Sequence, residues 1–163
     1  MIEKLEIFRT STADLDDKTE MFLKKRNEKI AFSRNEKIEY KSNAELRIAK
    51  FLENEKIEFE YQYTDPDCKD IKELPYDFAI KYKEKIICFV ESDGEHHFRP
   101  IKRTKEESNE ESIERLETIR KHDRIKDENA VNKNIPIIRI PYWLFEKIEI
   151  ILAKELTKLT ILN

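Results

Sequence analysis

The sequence predicts an α/β fold: a single domain in which helices flank one small, central, mixed four-stranded sheet, in the order α-β-β-β-α-β-α. Three observations predict it. Ile57-Glu58-Phe59-Glu60-Tyr61-Gln62-Tyr63 alternates apolar or aromatic residues with polar ones, the period of a half-buried strand. Ile86-Ile87-Cys88-Phe89-Val90 is apolar without interruption, as a strand covered on both faces requires. Apolar residues also recur at helical spacing, at Ala44, Ile48, Phe51 and Leu52 and again at Phe145, Ile148, Leu152 and Leu156. A chain of 163 residues can bury one sizeable core, and two independent domains are not expected.

Taken in order, residues 1–41 form an extension with weak patterning. Thr12 can cap a helix running to about Ile30, although its stripe of Leu15, Met21 and Phe22 is thin. Between Lys24 and Lys41, seven cations outnumber three glutamates, which fits either a DNA contact or a solvated helix face. The domain proper is expected over 42–163. Ser42-Asn43-Ala44-Glu45 is a capping-box pattern that opens a helix over 43–54. The alternating strand follows, and Thr64-Asp65-Pro66-Asp67 ends it as a turn. Leu74–Ile80 reads as a second strand with Pro75 near its start, Lys81–Lys85 as a hairpin loop, and Ile86–Asp93 as the third strand. Residues 99–112 are charged and loop-like. A helix then runs from about Ser112 to Asn132 with Ile113, Leu116, Ile119 and Ile125 inward, before a short strand at 136–141 and a last helix over Trp143–Leu159.

Charged residues make up 41% of the chain, yet the apolar ones gather into blocks that a disordered polyampholyte lacks. The net charge of −3 excludes a uniformly basic nucleic-acid coat, so any such contact must come from local patches. No apolar run is long enough to span a bilayer, and Met1-Ile2-Glu3-Lys4 lacks the apolar region of a secretory signal. A cytoplasmic protein without membrane contact is expected. Cys68 and Cys88 have no spacing that indicates zinc or a disulfide framework.

The chemistry gathers at Glu91-Ser92-Asp93-Gly94-Glu95-His96-His97, the charged end of the apolar strand. Glu91 and Asp93 point to one face because the side-chain period of a strand is two, and Asp77 lies on the neighbouring strand. Three carboxylates so placed oppose one another's ionisation unless a cation joins them, and all-oxygen donors suit Mg²⁺ or Mn²⁺. Such an ion activates water and steadies a leaving oxygen, the requirements of phosphodiester hydrolysis. Gly94 is the only glycine, and a turn there that a Cβ would hinder can bring His96 or His97 over the carboxylates as ligand or proton carrier. Glu45 is a further candidate, although the capping box already accounts for it. His122, Asp123 and Lys126 form a weaker cluster that a solvated helix face also explains.

At these residues the sequence resembles the PD-(D/E)XK phosphodiesterase superfamily, within it the branch near very-short-patch-repair endonucleases that includes phage and giant-virus homing-type nucleases. The branch commonly has an apolar strand with a central Asp, a strand end of the form I-E-x-D-G-x-Q-H-F, a helix with D-x-x-K, and a closing L-I-R-I-P-Y strand. The corresponding segments are Leu74–Ile80, Val90–Phe98, Asp123–Lys126 and Ile137–Tyr142. The resemblance covers roughly residues 42–155 and implies a restriction-endonuclease-like core, Mg²⁺-dependent endonuclease activity and double-stranded DNA as partner, with assembly as a homodimer left open. It implies Asp77 and Glu91 as metal acids, Asp93 and His97 completing the site, and Glu45 as a helix acid. The superfamily's lysine is replaced by Asp93 and the branch's Gln by His96, leaving His96, His97 and Lys126 as candidates to activate water. Arg99, Lys102, Arg103 and Lys105 form a small cationic arm suited to phosphates near the scissile bond. RNA cleavage by the same site, or a nuclease fold that binds nucleic acid without cutting it, are the competing readings.

Overall fold

A computed structural model describes residues 8–9 and 39–159. In chain order the elements are β1 (Phe8–Arg9), α1 (Asn43–Asn54), β2 (Glu58–Tyr63), β3 (Tyr76–Tyr82), β4 (Lys85–Asp93), a 3₁₀ turn at Glu95–His97, α2 (Asn109–Asn132), β5 (Ile137–Pro141), a 3₁₀ segment at Tyr142–Lys147, and α3 (Ile148–Lys158). The sheet order is β1-β5-β4-β3-β2, with β4 at its centre. β4 runs parallel to β5 and antiparallel to β3, which is antiparallel to β2. This is the expected mixed four-stranded sheet, extended at one edge by the two-residue β1 parallel to β5. No described helix is long and apolar enough to cross a membrane.

Local chemistry explains the ends of these elements. The Ser42 hydroxyl accepts the Glu45 N–H at 3.1 Å and starts α1. Ser108 and Glu111 form a reciprocal capping box at the start of α2, with bonds of 3.1 and 2.8 Å. β3 and β4 are joined through Lys83 and Glu84, both at positive φ (49° and 65°), the conformation a two-residue hairpin needs to match strand twist.

Side-chain alternation along β4 and β5 then sorts the core. Cys88, Val90, Ile138 and Ile140 pack with α1 and α3 on one face, while Phe89 and Ile137 pack with Ala130 and Ile125 of α2 on the other. Fully burying a side chain such as Phe89 contributes about 1.5–3 kcal/mol. The β4-α2-β5 unit therefore decides what lies above the α2 face of β4, where Glu91 and Asp93 follow Phe89 at the same parity.

Four expectations need correction. The hairpin loop expected over Lys81–Lys85 shrinks to Lys83 and Glu84, because Lys81 pairs with Ile86 and Tyr82 with Lys85. α2 begins at Asn109, within the stretch expected to be loop, because the Ser108–Glu111 box supplies a start signal ahead of Ser112. Ile113 is 46% exposed, since the inward line passes through Ser112 and Leu116, and Ile113 lies about 100° round the helix from Ser112. The last helix is preceded by six residues of 3₁₀ structure after Pro141. The helix expected between Thr12 and Ile30 lies outside the described residues.

Candidate functional site

β3 and β4 separate at one end, and two carboxylates fill the gap. Their ladder ends at Phe78 and Val90. Beyond it, the Asp77 N–H donates to Glu91 Oε1 at 3.2 Å, and the Ser92 N–H and hydroxyl both donate to Asp77 Oδ2 at 2.9 Å. The acids thus take over hydrogen bonds that the backbone ladder would otherwise make. Gln62 of β2, with φ at 52°, donates to Asp77 Oδ1 at 3.3 Å.

Each of the next two acids meets a cation. Glu91 is 2% exposed, and Lys126 Nζ reaches it from α2 at 3.0 and 2.9 Å. Burial pushes the Glu91 carboxyl up to about 7, against the pull of Lys126. Burial also opposes the charge on Lys126, but Glu91 outweighs it and raises the ammonium pKa. Asp93, facing the same side, accepts from Arg139 Nη1 at 2.7 Å. Burial nevertheless raises its pKa despite Arg139. Arg139 is 4% exposed on β5 and also contacts Asp127 at 2.9 Å and Asp123 at 3.4 Å.

A histidine–carboxylate pair adjoins these acids. His97 Nδ1 lies 2.8 Å from Asp123 Oδ2 and 3.8 Å from Asp93 Oδ1, so Asp93, His97 and Asp123 form one cluster with donor atoms within 4.8 Å of one another, whereas the expected trio of Asp77, Glu91 and Asp93 forms no such group among the described residues. Burial disfavours the imidazolium, yet Asp123 and Asp93 prevail and raise the His97 pKa. Asp123 moves the other way: burial raises it, but His97 and Arg139 bring it below the ordinary carboxylate value. With Nδ1 committed to Asp123, Nε2 has no hydrogen-bond partner among the described residues.

The turn expected at Gly94 has a different cause. Its φ of −64° is open to any residue. A Cβ there would lie 2.7 Å from His96 Cε1, so the missing side chain makes room for the His96 ring. His96 is exposed and tilts against His97 with ring centroids 4.6 Å apart. Burial, then His97 and Arg103, lower its pKa.

Beside the His97–Asp123 pair opens a cleft of about 620 Å³, lined by Arg120, Asp123, Arg124 and Asp127 of α2 and by Phe98 and Trp143. Of the expected cationic arm, Arg99 pairs with Glu95, while Lys102, Arg103 and Lys105 are exposed. Glu45 is buried on α1, where its carboxylate accepts the Tyr61 hydroxyl at 2.5 Å and the Lys41 N–H at 2.9 Å. It is linked to the acids through β2, because Gln62, next to Tyr61, bonds Asp77. The Tyr61 hydroxyl is pushed up to about 12 by burial and by Glu45.

The sequence reading passed over Arg139, Asp127, Arg120 and Arg124. Two signals could have found them. Arg139 is the one charged residue in Ile137-Ile138-Arg139-Ile140-Pro141, and a buried cation requires partners. Arg120, Asp123, Arg124 and Asp127 follow i, i+3, i+4, i+7, one face of a helix. Compared with family models, with curated proteins and with solved structures, the chain gives no match.

Proposed function

We propose that this chain is a Mg²⁺- or Mn²⁺-dependent endonuclease that hydrolyses phosphodiester bonds in double-stranded DNA. One observation carries the reading: Asp77 and Glu91 share the gap between two strand ends, and a His97–Asp123 pair stands beside Asp93, at a cleft lined by arginines and aspartates.

Carboxylate donors of this kind suit a hard divalent cation. Asp77, Glu91 and Asp93 offer only carboxylate oxygens, and neither Asp77 nor Asp93 has all its lone pairs engaged by described residues. Asp77, Glu91 and Asp93 would hold the ion once their side chains turn toward one another, because the described donor atoms that already lie within 4.8 Å of one another are those of Asp93, His97 and Asp123. When bound, it would polarise a phosphoryl oxygen and lower the pKa of water. The rest falls to side chains of the chain itself. His97, oriented through Nδ1 by Asp123, accepts a proton from an attacking water at Nε2. Lys126 limits the repulsion between Glu91 and Asp77, serving from a helix the charge role of a strand lysine. Arg120 and Arg124 supply positive charge to flanking phosphates.

A second reading, a nucleic-acid-binding module without catalysis, draws on the pairing of Glu91 with Lys126 and of Asp93 with Arg139, which already compensates two of the acids. Incubating supercoiled DNA and a matched RNA with Mg²⁺, Mn²⁺ or chelator decides between them. The nuclease reading expects metal-dependent cleavage, faster on DNA and abolished by Asp77→Ala. It is lost if neither metal supports cleavage, or if Asp77→Ala cuts as well as the parent. Calorimetry showing DNA binding without Mn²⁺ binding favours the module.

A further inference from the structure

Large aromatic side chains normally bury most of their surface. Phe98 and Trp143 are 38% and 54% exposed, and both line the cleft beside His97. They are not loose. The Phe98 and Trp143 rings meet at 4.5 Å and 62°, and Tyr142 meets Trp143 at 5.1 Å and 81°. Edge contacts of this kind fix the rings without stacking them, so flat surface stays open to a partner.

The cations of the same cleft divide into two groups. Arg139 is engaged by Asp93, Asp123 and Asp127. Arg120 donates to a neutral acceptor, the Phe98 carbonyl at 3.2 Å, and Arg124 pairs with no carboxylate among the described residues. The cleft therefore couples open aromatic faces with two guanidinium groups that no described carboxylate neutralises. Flat, apolar recognition beside positive charge matches a nucleobase and its phosphate. The 620 Å³ lies within the roughly 300–1,000 Å³ of small-ligand sites, so it takes a nucleotide rather than a duplex. A base inside a duplex has both faces stacked on its neighbours and offers none to Trp143.

We propose that this cleft receives one unpaired nucleotide of DNA, its base on Trp143 and Phe98 and its phosphate on Arg120 and Arg124, so that the preferred substrate carries an unpaired nucleotide beside the cut. The substrate class rests on the nuclease reading given above, while the binding step is independent of it. Asp93, Asp123 and Asp127 also line the cleft, and Arg139 pairs with all three, which leaves Arg120 and Arg124 for phosphate.

Trp143 is the only tryptophan in the chain, so its fluorescence reports on this site alone. The full chain is titrated in chelator with a paired duplex, the same duplex carrying one unpaired nucleotide, a single strand, and an RNA of the same sequence as the strand. Quenching is expected with the unpaired-nucleotide duplex and the single strand, with apparent affinity about tenfold above the paired duplex. Trp143→Ala should remove the preference, read by anisotropy of labelled DNA, and Trp143→Phe should retain it. Arg124→Gln should weaken binding and flatten its salt dependence. Equal affinity for paired and unpaired DNA overturns the inference, as does an undiminished preference in Trp143→Ala, stronger quenching by RNA, or no quenching by any oligonucleotide. Quenching without cleavage in metal upholds the cleft and removes the nuclease. Cleavage of paired DNA with no preference does the reverse.

Discussion

Lys126 on α2 places its ammonium 3.0 and 2.9 Å from the two oxygens of Glu91 at the end of β4, across 35 residues of sequence. Both groups are nearly closed to solvent, with side-chain exposures of 12% and 3%. Breaking such a pair leaves an uncompensated buried charge, whereas replacing both partners removes the problem. Lys126→Met should therefore cost about 3–5 kcal/mol in urea denaturation. The double variant Glu91→Gln, Lys126→Met should regain most of that stability and remain without cleavage activity. A double variant no more stable than Lys126→Met alone contradicts this account.

His97 and Asp123 should give the protein a pH signature. His97 is raised, so its contribution is complete below the ordinary imidazole value of about 6.5 and is lost as pH rises through the folded-state value. Asp123 is lowered, so its contribution is present above the ordinary carboxylate value and is lost as pH falls through the folded-state value. The pair stabilises the fold between these limits. Asp123→Asn should lower the His97 pKa, measurable from its imidazole proton by NMR. If His97 is the base, the rising limb of the cleavage profile should move to lower pH in the same variant. A His97 titration unchanged in Asp123→Asn removes this coupling.

Replacing His97 itself separates catalysis from binding. His97→Ala should reduce cleavage by about 10²–10⁴-fold, the range for loss of a general base. Its affinity for DNA in chelator should remain close to that of the parent. Cleavage within threefold of the parent assigns proton transfer elsewhere, with His96 the nearest alternative.

Asp65 anchors the turn after β2 to α2 away from the site. It accepts from Lys133 at 2.8 Å and from Asn129 at 3.3 Å, and Asn129 also bonds the Tyr76 hydroxyl at 3.1 Å. Burial raises the Asp65 pKa, but Lys133 and the other donors reverse this and lower it. Its stabilisation is thus present above the ordinary carboxylate value and is lost as pH falls through the folded-state value. Asp65→Ala should cost about 1.5–3 kcal/mol, the scale of hydrogen bonds to a charged group, with DNA affinity unchanged. A loss of affinity would place Asp65 in the binding surface.

The sequence by itself determined the order of the elements from α1 onward, the burial of β4 on both faces and the acids at its end, while the two-residue β1 left no such signal. These follow from local properties: a strand alternates with period two, a helix with 3.6, and Asp77 sits on the strand hairpinned to that of Glu91. The Ser108–Glu111 box was equally legible and shows that the start of α2 could have been read correctly. The tertiary structure alone decided which partner each acid meets. That depends on how α2 is rotated about its axis over β4, which is set by the packing of Ala130 and Ile125 against Phe89 and Ile137. That rotation aims Lys126 at Glu91 and Asp123 at His97, and β5 brings Arg139 beside Asp93. Such long-range pairings leave no periodic trace along the chain, because each needs two elements to dock before its charges meet.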